Sequence, residues 1–160
     1  MNHLDKEGMR SVNRDPKSLI NRYINAEFTV MKHLFNEIGE AIPEQLTPEQ
    51  FQILCVIHQR GSCTSTDLAD IFKVVKSSIT AIITRLVDRG FIVRTRDEED
   101  RRLVVLSLTE LGRSIYEQAD QKVQDIVASY LVHFDETEVE TFIGTYEKLA
   151  RLMSEGRSRA

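Results

Sequence analysis

Several residue patterns that mark enzymes and metal proteins are missing from this sequence of 160 residues. Its seven glycines are spread singly, so the chain has no glycine-rich loop that could hold a phosphate. The two cysteines and four histidines form neither a Cys-x-x-Cys pair nor a His pair four residues apart, which argues against a built-in metal site. No serine lies in a recognisable nucleophile elbow. We therefore expect neither an enzyme nor a protein with a metal or another cofactor.

Long hydrophobic runs are also absent. No stretch approaches the roughly 18–20 apolar residues that a membrane-spanning helix needs, and residues Met1 to Lys6 contain no hydrophobic signal segment. The length fits one domain, or two closely joined lobes, with a real core. We therefore expect a cytoplasmic protein that does not interact with a membrane.

Charge is distributed unevenly along the chain, whose formal net charge is −4. Between Lys73 and Arg102 there are eight Lys and Arg against five Asp and Glu, a local net of +3. Residues 103–160 carry six basic and ten acidic residues, a net of −4. Because affinity for nucleic acid comes from neutralising phosphates locally, the segment 73–102 is the candidate DNA-binding region.

A helix-turn-helix is predicted within that region. Residues 67–72 indicate a short helix, 73–75 a turn and 76–89 a second helix that Gly90 ends. One face of the second helix has apolar residues at helical spacing, namely Ile79, Ile82, Ile83 and Leu86. The opposite face carries Ser77, Thr80, Ala81, Thr84 and Asp88, and the cations Lys76 and Arg85 lie at its flank. Such a face suits a DNA major groove, which is about 12 Å wide.

A charged β-hairpin follows directly. Residues 91–96 and 103–108 are rich in β-forming side chains, and the tip between them, 97–102, contains no apolar residue. A plain surface turn would explain such a tip if it stood alone. After a helix whose face fits a groove, it predicts the DNA-contacting wing of a winged helix.

The hairpin also carries a family motif. Asp100 to Thr109 matches the wing signature D-x-R-x-x-x-x-x-L-T of MarR-type transcriptional regulators, and 110–112 resembles the start of that family's long dimerisation helix. Residues 76–80 and 86–90 are similar to its recognition-helix pattern. The resemblance extends from about Pro16 to Met153. It implies a mainly α fold with a small β-hairpin (α+β), in which a winged helix-turn-helix is joined to a helical dimerisation lobe.

The resemblance implies a homodimeric regulator, a repressor, that binds a pseudo-palindromic double-stranded DNA operator. Arg102 matches the arginine that enters the minor groove, and Asp100 matches the acid that orients it. Arg101 could do the same job, and Asp100 could instead be a solvated turn residue. The predicted DNA-binding residues are Lys76, Ser77, Ser78, Thr80, Thr84, Arg85, Arg94, Arg96, Asp100, Arg101 and Arg102. The alternative is a winged-helix module that binds protein partners without reading an operator.

The remaining segments predict four more helices, at about 16–39, 47–60, 109–133 and 135–153, with capping residues Asp15, Thr47, Thr109 and Asp135. Residues 62–64 could form a one-step strand against the wing. We expect one MarR-type chain over 1–160, with the winged helix at 47–108 and dimerisation helices at 16–42 and 109–154. A winged-helix core needs only about 70 residues, so a second chain would cover the apolar faces that remain.

Two further predictions concern ligands and thiols. Many MarR-type proteins bind a small aromatic or phenolic effector, and an aromatic and methionine lining could come from Tyr23, Phe28, Met31, Phe35 and Phe51. The alternative is that this stripe is core. Cys55 lies in an apolar run and is expected to be buried, whereas Cys63 is expected to be more exposed. Neither has a low-pKa setting in sequence, so we expect no redox role.

Overall fold

The computed structural model describes residues 15–155 of the chain. Within them the fold consists of six helices and one two-stranded antiparallel hairpin. The elements are α1 Pro16–Ala41, α2 Pro48–Arg60, α3 Ser65–Phe72, α4 Lys76–Asp88, β1 Ile92–Arg96, β2 Val104–Leu108, α5 Glu110–Leu131 and α6 Glu136–Glu155. The predicted fold class, mainly helical with a small hairpin, is confirmed.

Side-chain caps set most helix starts, as the sequence predicted. Thr47 and Gln50 form a reciprocal capping box at the start of α2. The hydroxyl of Thr109 accepts a hydrogen bond from the Gly112 N–H at the start of α5. Helix α3 begins two residues earlier than predicted, because Thr64 and Asp67 form a second capping box.

The hairpin pairs Ile92 with Leu108 at its base and Arg96 with Val104 near its tip. The predicted one-step strand is also present, since Cys63 forms a β-bridge to Leu106 with backbone bonds of 3.2 and 2.8 Å. This bridge buries Cys63 to 5% exposure, so the expectation that Cys63 is the more exposed cysteine was wrong. Cys55 is half-buried.

The core lies between α2, α3, α4, α5 and the hairpin. Its fully buried large side chains are Ile53, Leu54, Ile57, Leu68, Ile83, Leu86, Ile92 and Leu106. The buried residues of α4 belong to the apolar face that its periodicity predicted. The core holds α4 against the hairpin with its polar face outward, which positions the candidate site.

The chain divides into two compact units, one extending to Glu37 and the other starting at Ile38. Helices α1 and α6 contain no buried residue in the single chain. Over the residues described here, no helix combines the length and the hydrophobicity that crossing a membrane requires.

Candidate nucleic-acid interface

Helix α4 presents its predicted polar face to solvent. Ile79, Ile83 and Leu86 are buried on one side. The candidate DNA-binding residues of the helix are all exposed, namely Lys76, Ser77, Ser78, Thr80, Thr84 and Arg85. The core therefore fixes the rotation of the helix, and the exposed face could enter a major groove.

The hydroxyl groups on this face are not equivalent. Thr80 Oγ1 donates a hydrogen bond to the backbone oxygen of Lys76, at 2.8 Å. Its proton is therefore already used, and the oxygen can only accept, for example from the amino group of adenine or cytosine. Among residues 15–155, the structure gives the hydroxyls of Ser77 and Ser78 no hydrogen-bond partner, so both can donate as well as accept.

Arg94 connects the wing to the recognition helix. Its Nη2 donates to Thr84 Oγ1 at 3.2 Å, and both side chains are exposed. Alternate residues of a strand share a face, so Arg96 lies on the same side of β1 as Arg94. Helix and strand cations thus border one surface, although Arg94 already has a protein partner.

The wing tip is a hydrogen-bonded turn built on two aspartates. Asp97 Oδ1 accepts from the N–H groups of Glu99 and Asp100, at 3.0 and 2.8 Å. Asp100 in turn holds Arg102, with Nε to Oδ1 at 3.1 Å and Nη2 to Oδ2 at 3.2 Å. The two side-chain bonds form a bidentate pair that fixes the plane of the guanidinium group.

This pair distinguishes the two tip arginines that the sequence could not separate. The Arg102 side chain is 91% exposed even though it is paired, and its hydrogen bonds hold the pKa of Asp100 below its ordinary value. Within the described residues, Arg101 has no such partner. Arg102 is therefore the oriented cation, and Arg101 is a free one.

The sequence predicted the turn at 73–75 that precedes α4, but not its backbone geometry or the missing cap of the helix. Lys73 has a positive φ of 54°, and among residues 15–155 it is the only residue other than glycine with a positive φ. Val75 occupies the N-cap of α4 without a side-chain hydrogen bond, and it is 69% exposed. A valine where Ser, Thr, Asp or Asn is preferred was the available signal.

The wing base is tied to α5. Thr109 Oγ1 donates to the Gly90 carbonyl at 2.6 Å, and the Thr109 N–H donates to the Phe91 carbonyl at 3.1 Å. A Cβ atom on Gly112 would overlap the Phe91 carbonyl oxygen, so only glycine allows α5 to approach this closely. Helix α5 therefore starts in a fixed position relative to the wing.

The predicted effector residues occupy two kinds of environment. Tyr23, Phe28, Met31 and Phe35 are exposed on α1, each by 49% or more. Phe51 belongs to the core at 7% exposure and stacks on Tyr116, with ring centroids 6.0 Å apart. In the described single chain Phe51 is thus a core residue, and the effector pocket stays a prediction.

Both thiols lie in settings that disfavour the thiolate. Burial, reinforced by the negative charge of Asp120, raises the pKa of Cys55 to about 11. Burial and the charge of Asp67 raise the pKa of Cys63 to about 11. No group of three or more His, Cys, Asp or Glu in residues 15–155 is placed to hold a metal ion.

Comparison with known proteins agrees with this geometry. The family model described as MarR family matches residues 46–104. The HTH-type transcriptional regulator YpoP of Bacillus subtilis is 31% identical over 120 residues, which cover 75% of this chain and 85% of YpoP. The HTH-type transcriptional repressor MdtR of the same organism is 32% identical over 64% of this chain and 67% of MdtR.

Solved structures show the same fold. A MarR mutant from Escherichia coli, in complex with operator DNA, superimposes with a TM-score of 0.68 at 27% sequence identity. The match covers 85% of this chain and 99% of that one. From the identity to YpoP over most of both chains, and from the shared winged helix, the chain belongs to the MarR family of winged helix-turn-helix transcriptional regulators.

Proposed function

We propose that this protein is a repressor that binds a pseudo-palindromic double-stranded DNA operator as a homodimer. The observation that carries the proposal is the juxtaposition of two reading elements. The exposed polar face of α4 suits the major groove, and the bidentate Asp100–Arg102 pair aims a cation from the wing tip. Major-groove hydrogen bonds would read bases, and an arginine in a narrow minor groove would read shape.

Each contact has a distinct role in this proposal. The free hydroxyls of Ser77 and Ser78 contact base edges or phosphates in the first turn of α4, where such contacts concentrate. Lys76 and Arg85 neutralise phosphates or bind guanine. Arg94 and Arg96 border the surface from the wing strand, and Arg101 adds a free charge at the tip. Thr80 contributes as an acceptor, because its proton is donated to Lys76, whereas Thr84 accepts from Arg94 and keeps its own proton for donation.

The homodimer is supported by apolar faces that the single chain leaves open. Phe28 on α1 is 66% exposed, and Phe142 on α6 is 63% exposed and stacks on Tyr146. Exposed aromatic side chains on the apolar face of a helix are typical of interfaces. A twofold dimer presents two recognition helices, which gives an operator with half-sites about one helical turn apart.

The proposal also states that operator binding represses transcription and that a small molecule relieves the repression. An occupied operator would block transcription, and the related protein MdtR is named a repressor. The exposed aromatic and methionine side chains of α1 could stack on a small aromatic or phenolic effector that releases the DNA. A screen of aromatic acids and phenols for loss of operator binding tests this step, with Met31→Ala as the variant expected to keep operator binding and lose the response.

Binding selection from a random duplex library with the full chain tests DNA reading. We expect an enriched pseudo-palindrome. Affinities for that operator, for a scrambled operator and for an unrelated A·T-rich duplex are then measured at two salt concentrations. Ser77→Ala with Ser78→Ala should reduce discrimination between operator and scrambled DNA by about 1–3 kcal/mol if a base pair is read.

Arg102→Ala should weaken binding to all three duplexes and lower the slope of log affinity against log salt by about one. Arg101→Ala is the matched control, since it removes an equal charge that lacks the Asp100 partner. If Arg102→Ala binds all three duplexes like the parent at both salts, the hairpin is not a DNA wing. The protein would then be a winged-helix interaction module.

A further inference from the structure

Helix α4 differs from every other described helix in how it begins. An oxygen-bearing side chain caps each of the others. At α1, Asp15 Oδ1 accepts from the Lys17 N–H at 3.2 Å, and at α6 Asp135 Oδ1 accepts from the Glu138 N–H at 2.9 Å. The caps of α2, α3 and α5 are the threonines Thr47, Thr64 and Thr109.

The recognition helix instead begins at Val75, whose side chain can accept no hydrogen bond. Valine is among the poorest N-cap residues. Burial of its side chain does not offset the missing cap hydrogen bond here, because Val75 is 69% exposed. Its neighbour Val74 is 44% exposed. Sequences keep a residue that violates a local folding rule mainly where another function uses it.

The surroundings of Val75 indicate which partner would use it. Cations stand on both sides, Lys73 in the turn and Lys76 in the first turn of α4, and all three side chains are exposed. The free hydroxyls of Ser77 and Ser78 follow directly. The exposed apolar side chain thus lies directly before the proposed DNA-contacting turn of α4, and the cations that flank it in sequence suit phosphates.

We propose that Val75 is a specificity-determining residue that contacts the 5-methyl group of a thymine in the major groove. That methyl is the apolar feature which distinguishes thymine from the other bases in this groove, and a short branched aliphatic side chain matches it. This inference rests on the proposed function, because it requires the first turn of α4 to lie in the major groove.

Deoxyuridine substitution tests the contact, since it removes the methyl group and leaves base pairing unchanged. Each thymine of the selected operator is replaced singly, and affinities are measured for the parent, Val75→Ser and Val93→Ser. Val75→Ser supplies the missing cap and should fold at least as stably. Val93→Ser is the matched control, because Val93 is 41% exposed but lies on β1, in the wing.

For the parent we expect at least one thymine per half-site at which loss of the methyl weakens binding about fourfold, the value of one buried methylene-sized group. Val75→Ser should bind the thymine and uracil forms of that site equally, and Val93→Ser should keep the fourfold difference. Affinity for unrelated duplex should stay unchanged in both variants.

Two results would overturn the inference while leaving the proposed function intact. One is a selected operator in which no thymine methyl matters to the parent. The other is a Val75→Ser variant that keeps the parent's preference for thymine at every position. A parent protein that selects no sequence at all would instead refute the proposed function, and this inference with it.

Discussion

The winged helix of this chain and the helices α1 and α6 show the same amphipathic pattern. They differ in burial, because α1 and α6 contain no buried residue in the single chain. Leu54, Ile57 and Leu86 are completely buried within the chain. Phe28 on α1 and Phe142 on α6 lie on equally clear apolar stripes, yet each is more than 60% exposed. The periodicity of a helix thus identifies its apolar face, but it does not tell whether the chain itself buries that face.

The largest expected effects separate these two uses. Leu86→Ala should lower the free energy of unfolding by about 3 kcal/mol, because it leaves a cavity in a core that a single chain forms. It should leave the monomer–dimer dissociation constant unchanged. Phe142→Ala should raise that dissociation constant about 30-fold, which corresponds to about 2 kcal/mol, if the ring is central to the interface. Urea unfolding and sedimentation at several protein concentrations measure both quantities. The opposite assignment of effects would contradict the comparison.

A second pair of substitutions compares glycines in the two regions. Gly112→Ala should destabilise the protein by about 2 kcal/mol, because its Cβ would overlap the Phe91 carbonyl and push α5 away from the wing. Gly144→Ala on α6 meets open space in the chain. It should stabilise the protein by about 0.5–1 kcal/mol through helix propensity. Thermal and urea unfolding give both values, and a neutral Gly112→Ala would show that α5 is not tied to the wing.

A smaller effect is expected at the wing tip. Asp100→Asn removes the charge that orients Arg102 and should weaken operator binding less than Arg102→Ala does. The pKa of Asp100 is lowered in the folded protein, so its carboxylate is ionised at every pH above the ordinary pKa of an aspartate. The pairing with Arg102 is lost only as the pH falls through the lowered pKa. The parent-to-variant affinity ratio should therefore stay constant from about pH 8 to about pH 5. A ratio that changes across that range would mean that another group orients the arginine.

The smallest expected effect is at the cysteines. Burial raises both thiol pKa values to about 11, which leaves little thiolate at neutral pH. The Cys55→Ala, Cys63→Ala double variant should bind operator like the parent, with or without peroxide, in an anisotropy titration. Peroxide-triggered release in the parent that disappears in the double variant would reveal a thiol switch.

The sequence predicted what local chemistry controls. Capping residues such as Thr47 and Thr109 begin helices as expected, and the wing motif placed the hairpin correctly. It failed where a distant partner decides. The one-step strand at 62–64 was predicted, but not that its bridge to Leu106 would bury Cys63. The bond from Arg94 to Thr84 joins residues ten positions apart, and no periodicity indicates it.

The internal use of the Thr80 proton and the orientation of Arg102 by Asp100 are also properties of geometry rather than composition. Sequence motifs could name these residues as candidates, but only the structure assigns Thr80 the part of an acceptor. The sequence could have predicted that the helix start at Val75 is uncapped, since the preferred N-cap residues are known. Only the structure shows that the Val75 side chain is exposed.

We propose that the winged helix forms its core within one chain, whereas α1 and α6 pair with a second chain. The number of chains bound to the selected operator tests this proposal most directly. Sedimentation of the full chain, free and with duplexes that carry one or two half-sites, gives the number of chains in each species. We expect a dimer in solution and two chains on the two-half-site duplex, with much weaker binding to a single half-site. A monomer that binds one half-site as tightly as the full operator would contradict it.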